Sequence, residues 1–140
     1  MDDEALRQLR TRLQMSIPHS RYEHSRRVAE ESMRLAARFS ADLEVCATAG
    51  LLHDCARDLP LDRMIVLWHR LGPGLRGPDP VMFSSALLHG PVGALVAREE
   101  YGVRDSRVLD AISRHRVGAV DMTLEDKVVC LADYIEPGRC

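Results

Sequence analysis

Hydrophobic positions recur along this chain at helical rather than strand spacing. Val28, Ser32, Leu35, Ala36 and Phe39 follow the i, i+4, i+7, i+8, i+11 pattern of a buried helical stripe, which predicts a helix over 19–39. Leu124, Val128, Leu131 and Ile135 repeat the pattern, and Thr123 with Asp126 makes a capping box just ahead of it, so a helix is predicted over 124–134. Helical spacing also fits 3–14, 42–53, 61–71, 91–101 and 105–115, with Pro60 and Pro91 suited to first-turn positions and Gly102 to a helix end. No strand-like alternation competes. The stretch Gly72 to Pro80 (GPGLRGPDP) cannot form regular structure and reads as a loop inside the domain. With no internal repeat, low-complexity tail or linker, residues 1–140 read as one all-α domain, a bundle of about six or seven helices.

Two of the predicted helices end on chemistry. His53-Asp54 closes the apolar run Ala47-Thr48-Ala49-Gly50-Leu51-Leu52, too hydrophobic to face water, so a carboxylate there implies a partner. For this dipeptide alone the plain reading is a core histidine beside an Asp54–Arg57 ion pair. Similar placements recur elsewhere. His24 precedes Val28 by one turn, His89 follows Leu87-Leu88, His115 shares a face with Val108 and Ile112, and Asp133 follows Val129 by one turn. Imidazoles and carboxylates at the apolar edges of five segments are a poor way to build a core, and a shared metal centre relieves that cost.

Composition narrows the ligand. A length of 140 residues with 46% hydrophobic content suits one compact core. Nineteen Lys and Arg against 21 Asp and Glu leave a formal charge of -2, which removes the general attraction on which non-specific nucleic-acid binding rests. Any anion must be held locally, and Lys127 is the only lysine among those cations, the rest being arginines with their planar fork for phosphate. No apolar run approaches the ~20 residues of a membrane helix, and the acidic start Met1-Asp2-Asp3-Glu4 is unlike a signal peptide, so a cytoplasmic protein without membrane partners is expected. Cys46, Cys55, Cys130 and Cys140 form no C-x-x-C pair and read as reduced, mostly buried thiols.

The order His24, His53-Asp54, His89, His115, Asp133 resembles the HD-domain metal-dependent phosphohydrolases. Within them the similarity is to the YqeK-type symmetrical diadenosine tetraphosphate hydrolases. It is carried by R-Y-E-H-S-x-R-V-A (Arg21 to Ala29), A-G-L-L-H-D-C-A-R (Ala49 to Arg57), L-L-H-G-P-V-G-A (Leu87 to Ala94) and A-D-Y-I-E-P-G-R (Ala132 to Arg139), and it runs over about 18–139. The resemblance implies His24, His53, Asp54 and Asp133 as metal ligands and Asp54, His89 and His115 as catalytic residues. His89 and His115 match positions that either bind a second ion, with Asp54 bridging, or contact substrate phosphates, and the sequence leaves both open. Iron is the implied metal, with Mn, Ni or Zn as alternatives and one or two ions in the site; mixed imidazole and carboxylate ligands suit these better than Mg.

The implied reaction is symmetrical hydrolysis of diadenosine tetraphosphate to two ADP. Alternatives are another HD phosphohydrolase, acting on nucleoside monophosphates or guanosine tetraphosphate, or a module that binds metal and nucleotide without turnover. Arg21, Arg57 and Arg139, with His89 and His115, are the candidate phosphate contacts, and Arg27 is a weaker one. Tyr22 and Tyr134 lie nearest the ligand motifs for base stacking, while His69 and Lys127 read as surface. A homodimer is admitted, not required. Two departures stand out: Arg116 follows His115 where the family usually has threonine, and the chain stops at Cys140 where relatives generally continue with a further helical segment, so the pocket is expected to lack that covering.

Overall fold

The computed structural model describes residues 3–71, 84–116 and 118–136. Among them lie seven helices and no strand: α1 (Asp3–Ser16), α2 (His19–Phe39), α3 (Leu43–Leu52), α4 (Leu61–Leu71), α5 (Ser85–Glu100), α6 (Ser106–Arg114) and α7 (Leu124–Ile135). The all-α expectation holds, and no helix among the described residues is long and apolar enough to cross a membrane.

Two of the helices are central. Every residue of α3 from Val45 to Leu52 is buried, and α5 is buried from Leu88 to Gly93 and again over Leu95–Ala97. A helix apolar on all sides has no solvent face to keep, so it packs inside the others. Around this pair, α2 packs chiefly on α3, α6 on α5, and α7 on α2, α3 and α6. Both central packings depend on missing side chains. A Cβ on Gly50 would lie 2.6 Å from Ser32 Oγ and 3.1 Å from Ala29 Cα, and one on Gly90 would lie 2.7 Å from the Ser113 carbonyl oxygen. These close approaches bring α2 to the end of α3, and α6 to the start of α5.

Local signals set the helix starts. Asp42 caps α3 by accepting from Val45 N–H, Asp105 caps α6 by accepting from Arg107 N–H, and the Thr123–Asp126 capping box opens α7 as predicted. Buried Asp126 also accepts from Arg114 Nη1 at 2.8 Å, tying the end of α6 to the start of α7.

The structure corrects four readings. The fifth helix starts at Ser85 rather than 91, with Pro91 inside it, because Ser84 and the Ala86-Leu87-Leu88 run begin the helix before the proline is reached. Pro60 precedes α4 and contributes its carbonyl to Met64 N–H instead of occupying the first turn. Phe39, placed on the buried stripe of α2, is 50% exposed at that helix's end. On α7, Val128 is buried, but Leu124, Leu131 and Ile135 are 44%, 43% and 39% exposed. The inward arc of that helix carries Val129, Ala132 and the carboxylates of Asp126 and Asp133. The Gly72–Pro80 loop lies outside the described residues.

Candidate metal centre

Six side chains from five helical segments meet at one point. His24 projects from the second turn of α2, His53 and Asp54 follow the last turn of α3, His89 sits on α5, His115 follows α6, and Asp133 lies on α7. All six are buried or nearly so. His24 Nε2 lies 3.0 Å from Asp133 Oδ1 and 3.7 Å from Asp54 Oδ2, and His53 Nε2 lies 3.4 Å from each of the same oxygens. The other oxygen, Asp54 Oδ1, lies 3.1 Å from His89 Nε2 and 3.5 Å from His115 Nε2. Asp54 therefore spans the cluster, with one oxygen toward each pair of imidazoles.

All four rings present the same nitrogen inward. His53 Nδ1 is 2.7 Å from the Gly50 carbonyl, His115 Nδ1 is 2.7 Å from that of Ile112, and His89 Nδ1 is 3.3 Å from that of Ser85. Carbonyls only accept, so each Nδ1 carries the donated proton, and each Nε2 faces the centre, where it can ligate once the ring is neutral. In His24 the same task falls to a carboxylate, Glu136 Oε2, 3.0 Å from Nδ1.

This donor set fits a metal ion. His53 Nε2 is buried without a formed hydrogen bond and faces two carboxylate oxygens at 3.4 Å, a state relieved by a second ring proton or by a cation that takes its lone pair. His24, His53 and Asp133, and likewise His53, Asp54 and His115, offer ligand atoms within 4.8 Å of one another. The two Nε2 atoms of His89 and His115 stand 3.0 Å apart. Two lone pairs at that distance repel, so either one ring holds a second proton or a cation lies against both. Imidazole and carboxylate together favour a divalent transition metal.

The electrostatics agree. Burial pushes the Asp54 and Asp133 carboxyls up, but the surrounding imidazoles outweigh it and hold both far below the usual carboxylate range. Burial pulls the His53 imidazolium down, yet Asp54 and Asp133 prevail and raise it to about 10. His115 goes the other way: burial, reinforced by the neighbouring His53 and His89, lowers its pKa and keeps the ring neutral near pH 7.

A cavity of about 460 Å³ opens on this cluster, within the range of small-molecule sites. Arg21, Arg57, Asp54, His24, His89 and Asp133 line it, while His115 lies behind His89. The Asp54–Arg57 side-chain pair is not formed. Arg21 replaces it, reaching Asp54 Oδ2 at 3.3 Å and Asp58 at 3.0 Å, while Arg57 meets Asp54 only through its backbone N–H. Arg139 lies outside the described residues. Tyr22 is buried in the core and Tyr134 is exposed, and neither lines the cavity. His69 and Lys127 are exposed.

One residue at the cluster is not singled out by the sequence reading. Glu136, 2% exposed, accepts from His24 Nδ1–H and, at 2.8 Å, from Arg27 Nε. Its signal was available, because position 136 follows α7 directly, three residues beyond Asp133. Arg27, weighed above as a phosphate contact, is instead held against this carboxylate. Arg116 lines the cavity mouth.

Comparison with known proteins identifies the family. The HD domain model matches residues 21–138. The chain is 42% identical over 125 residues to the symmetrical bis(5'-nucleosyl)-tetraphosphatase of Staphylococcus aureus, covering 88% of this chain and 62% of the relative. It is 38% identical over 130 residues to the protein of the same name from Halalkalibacterium halodurans, covering 91% and 68%. The chain thus spans less than two thirds of the S. aureus protein's length. A crystal structure from Clostridium acetobutylicum, described as a predicted HD superfamily hydrolase involved in NAD metabolism, superposes with a TM-score of 0.85 at 37% identity over 94% of this chain and 69% of that one. With His24, His53, Asp54, His89, His115 and Asp133 assembled in space and the family model spanning residues 21–138, the chain belongs to the HD-domain family.

Proposed function

We propose that this protein hydrolyses the central phosphoanhydride of diadenosine tetraphosphate, releasing two ADP, at a centre held by His24, His53, Asp54 and Asp133. The observation that carries the reading is the convergence of four imidazole Nε2 atoms and two carboxylates beneath a cavity lined by arginines. The relatives' name supports the substrate. Iron is the metal proposed, with manganese, nickel or zinc as substitutes, in one or two positions. When bound, the metal acidifies water and withdraws charge from the phosphoryl oxygens.

The residues divide the remaining work. Asp54 orients both histidine pairs through its two oxygens. Water adds to one inner phosphorus, the bridging oxygen leaves with the other ADP, and His89, which lines the cavity, gives that oxygen a proton from Nε2 when its ring holds the second proton. His115, neutral and behind His89, holds Asp54 or a second ion rather than supplying a proton. Arg57 and Arg139 contact phosphate, and Arg21 does so from its station on Asp54 and Asp58. A cytoplasmic location is part of the proposal and suits a nucleotide substrate.

Product analysis tests the proposal. Protein loaded with iron or manganese and incubated with diadenosine tetraphosphate yields ADP as the only nucleotide product. Formation of ATP with AMP, or no turnover while a nucleoside monophosphate or guanosine tetraphosphate is hydrolysed, overturns it.

A further inference from the structure

Four arginines line the cavity over the cluster, and they fall into two classes. Arg21 is fastened to Asp54 and Asp58, and Arg27 to Glu136 and, at 3.9 Å, to Glu23. Their charge is already answered by protein carboxylates. Arg57 and Arg116 pair with no carboxylate among the described residues.

Hydrogen bonds hold the residues that flank Arg116. The preceding His115 is pinned through Nδ1 to the Ile112 carbonyl, and Arg114 is pinned to buried Asp126. The turn after α6 is closed by Gly118 N–H donating to the Arg114 carbonyl at 2.8 Å. A fixed backbone thus presents an exposed guanidinium at the rim of an anion-sized cavity. An unpaired arginine so held, beside a centre built for phosphoryl chemistry, is suited to a second phosphate at a distance from the one at the metal.

We propose that Arg116 is a specificity-determining residue that binds the phosphates beyond the reacting one, so that the site selects nucleotides by the length of their polyphosphate chain. The inference rests on the phosphoanhydride reading of the site, but it requires only that the site bind a nucleotide's phosphates, not that diadenosine tetraphosphate be the substrate.

The test is calorimetric binding of AMP, ADP and β,γ-methylene-ATP to the manganese-loaded protein, for wild type, Arg116→Ala and Arg116→Lys. In wild type, affinity climbs with each added phosphate. In Arg116→Ala the triphosphate analogue weakens about tenfold while AMP changes less than about twofold, the scale of one charge-assisted contact, and Arg116→Lys recovers part of the loss. With diadenosine tetraphosphate as substrate, the same variant raises KM and leaves kcat within about twofold, as expected for loss of uniform binding. An unchanged ladder in Arg116→Ala, or equal loss for AMP and the triphosphate, overturns the inference even if ADP is the product. Absence of ADP formation by a wild type that still shows the Arg116-dependent ladder overturns the proposed reaction and leaves this inference standing.

Discussion

Two cavities of nearly equal volume lie in this bundle, about 460 Å³ over the histidine cluster and about 440 Å³ between α1, the start of α3 and the α5–α6 connection. They differ in how their polar groups are settled. In the second, Arg107 is paired with Asp42 and Asp105, the latter also capping α6, and Arg12 lies over the Tyr101 ring while donating to the Glu100 carbonyl. Leu9, Val45, Val103 and Val108 complete its walls. That lining is satisfied as it stands. In the first, four imidazole Nε2 atoms and two carboxylates crowd together, His53 Nε2 makes no formed hydrogen bond, and two imidazoles abut. Volume alone does not separate a site from a packing gap; incomplete satisfaction of buried polar atoms does.

The largest effect comes from removing the carboxylate that spans the cluster. Asp54→Ala lowers transition-metal affinity by at least about 100-fold, since it removes a direct ligand and the loss of an outer partner alone costs about 10- to 100-fold. It also leaves Arg21 and the His53 imidazolium without their shared counter-charge, destabilising the metal-free protein by about 3 kcal/mol, the scale of a broken buried pair. Arg107→Ala, made in the other cavity, leaves metal affinity within about twofold, because an exposed pair is worth about 0–1 kcal/mol and reaches no ligand. Isothermal titration with manganese and chemical denaturation of both variants measure these quantities. Equal metal affinities would erase the distinction between the two cavities.

A pH titration sharpens the same contrast. The folded, metal-free protein holds the His53 pKa near 10, above the ordinary 6.5. A raised folded-state value contributes stability that is fully present below about pH 6.5 and fades as pH rises through about 10. Asp54 and Asp133, held low, lose their contribution only in strong acid. Metal uptake requires a neutral His53, so binding near pH 7 releases a proton, and affinity rises about tenfold per pH unit below that pKa. Chelated protein therefore loses several degrees of Tm between pH 7 and pH 10, while the metal-loaded protein loses less. Thermal scans with and without chelator, and titrations in buffers of different ionisation enthalpy, read both effects. A pH-independent affinity with no proton release contradicts the assignment of His53 as a ligand.

The proposed ligand residues stand out in the sequence because they lie at the apolar edges of helical segments, as His53-Asp54 does after Leu51-Leu52, and a buried polar group needs a reason. Helix positions were legible from the buried stripe for α2 and from the capping box for α7. The orientation of α7 was not. Periodicity assigns Leu124, Leu131 and Ile135 inward, but the helix turns toward the cluster to satisfy Asp126, Asp133 and Glu136, and the leucines are left at the edge. A hydrophobic pattern assumes that apolar residues compete for the interior, and here carboxylates with partners outcompete them. The start of α5 escaped for a different reason, since proline's preference for a first turn was given more weight than the helix-compatible run before it.

Glu136 gives the finest distinction, because its role is to set a proton rather than to hold a metal. Its two oxygens accept from two donors, Arg27 Nε and His24 Nδ1–H, in a setting that is 2% exposed. In Glu136→Gln one oxygen becomes an NH2 donor. If the remaining oxygen keeps Arg27, the amide nitrogen faces His24 Nδ1, which must then act as acceptor, and the ring proton moves to Nε2. A protonated Nε2 cannot ligate, so metal affinity falls by about fivefold to tenfold, the lower end of what outer partners contribute. A purely structural role predicts a different pattern, with loss of folding stability in the metal-free protein and little change in metal affinity beyond it. Measuring manganese affinity beside the Tm of the chelated protein separates the two, and the imidazole 15N shifts of His24 report the tautomer directly. Retention of the Nδ1–H tautomer with full metal affinity in Glu136→Gln would reduce Glu136 to a packing residue and return His24 to the same footing as His53, His89 and His115, whose tautomers the backbone sets.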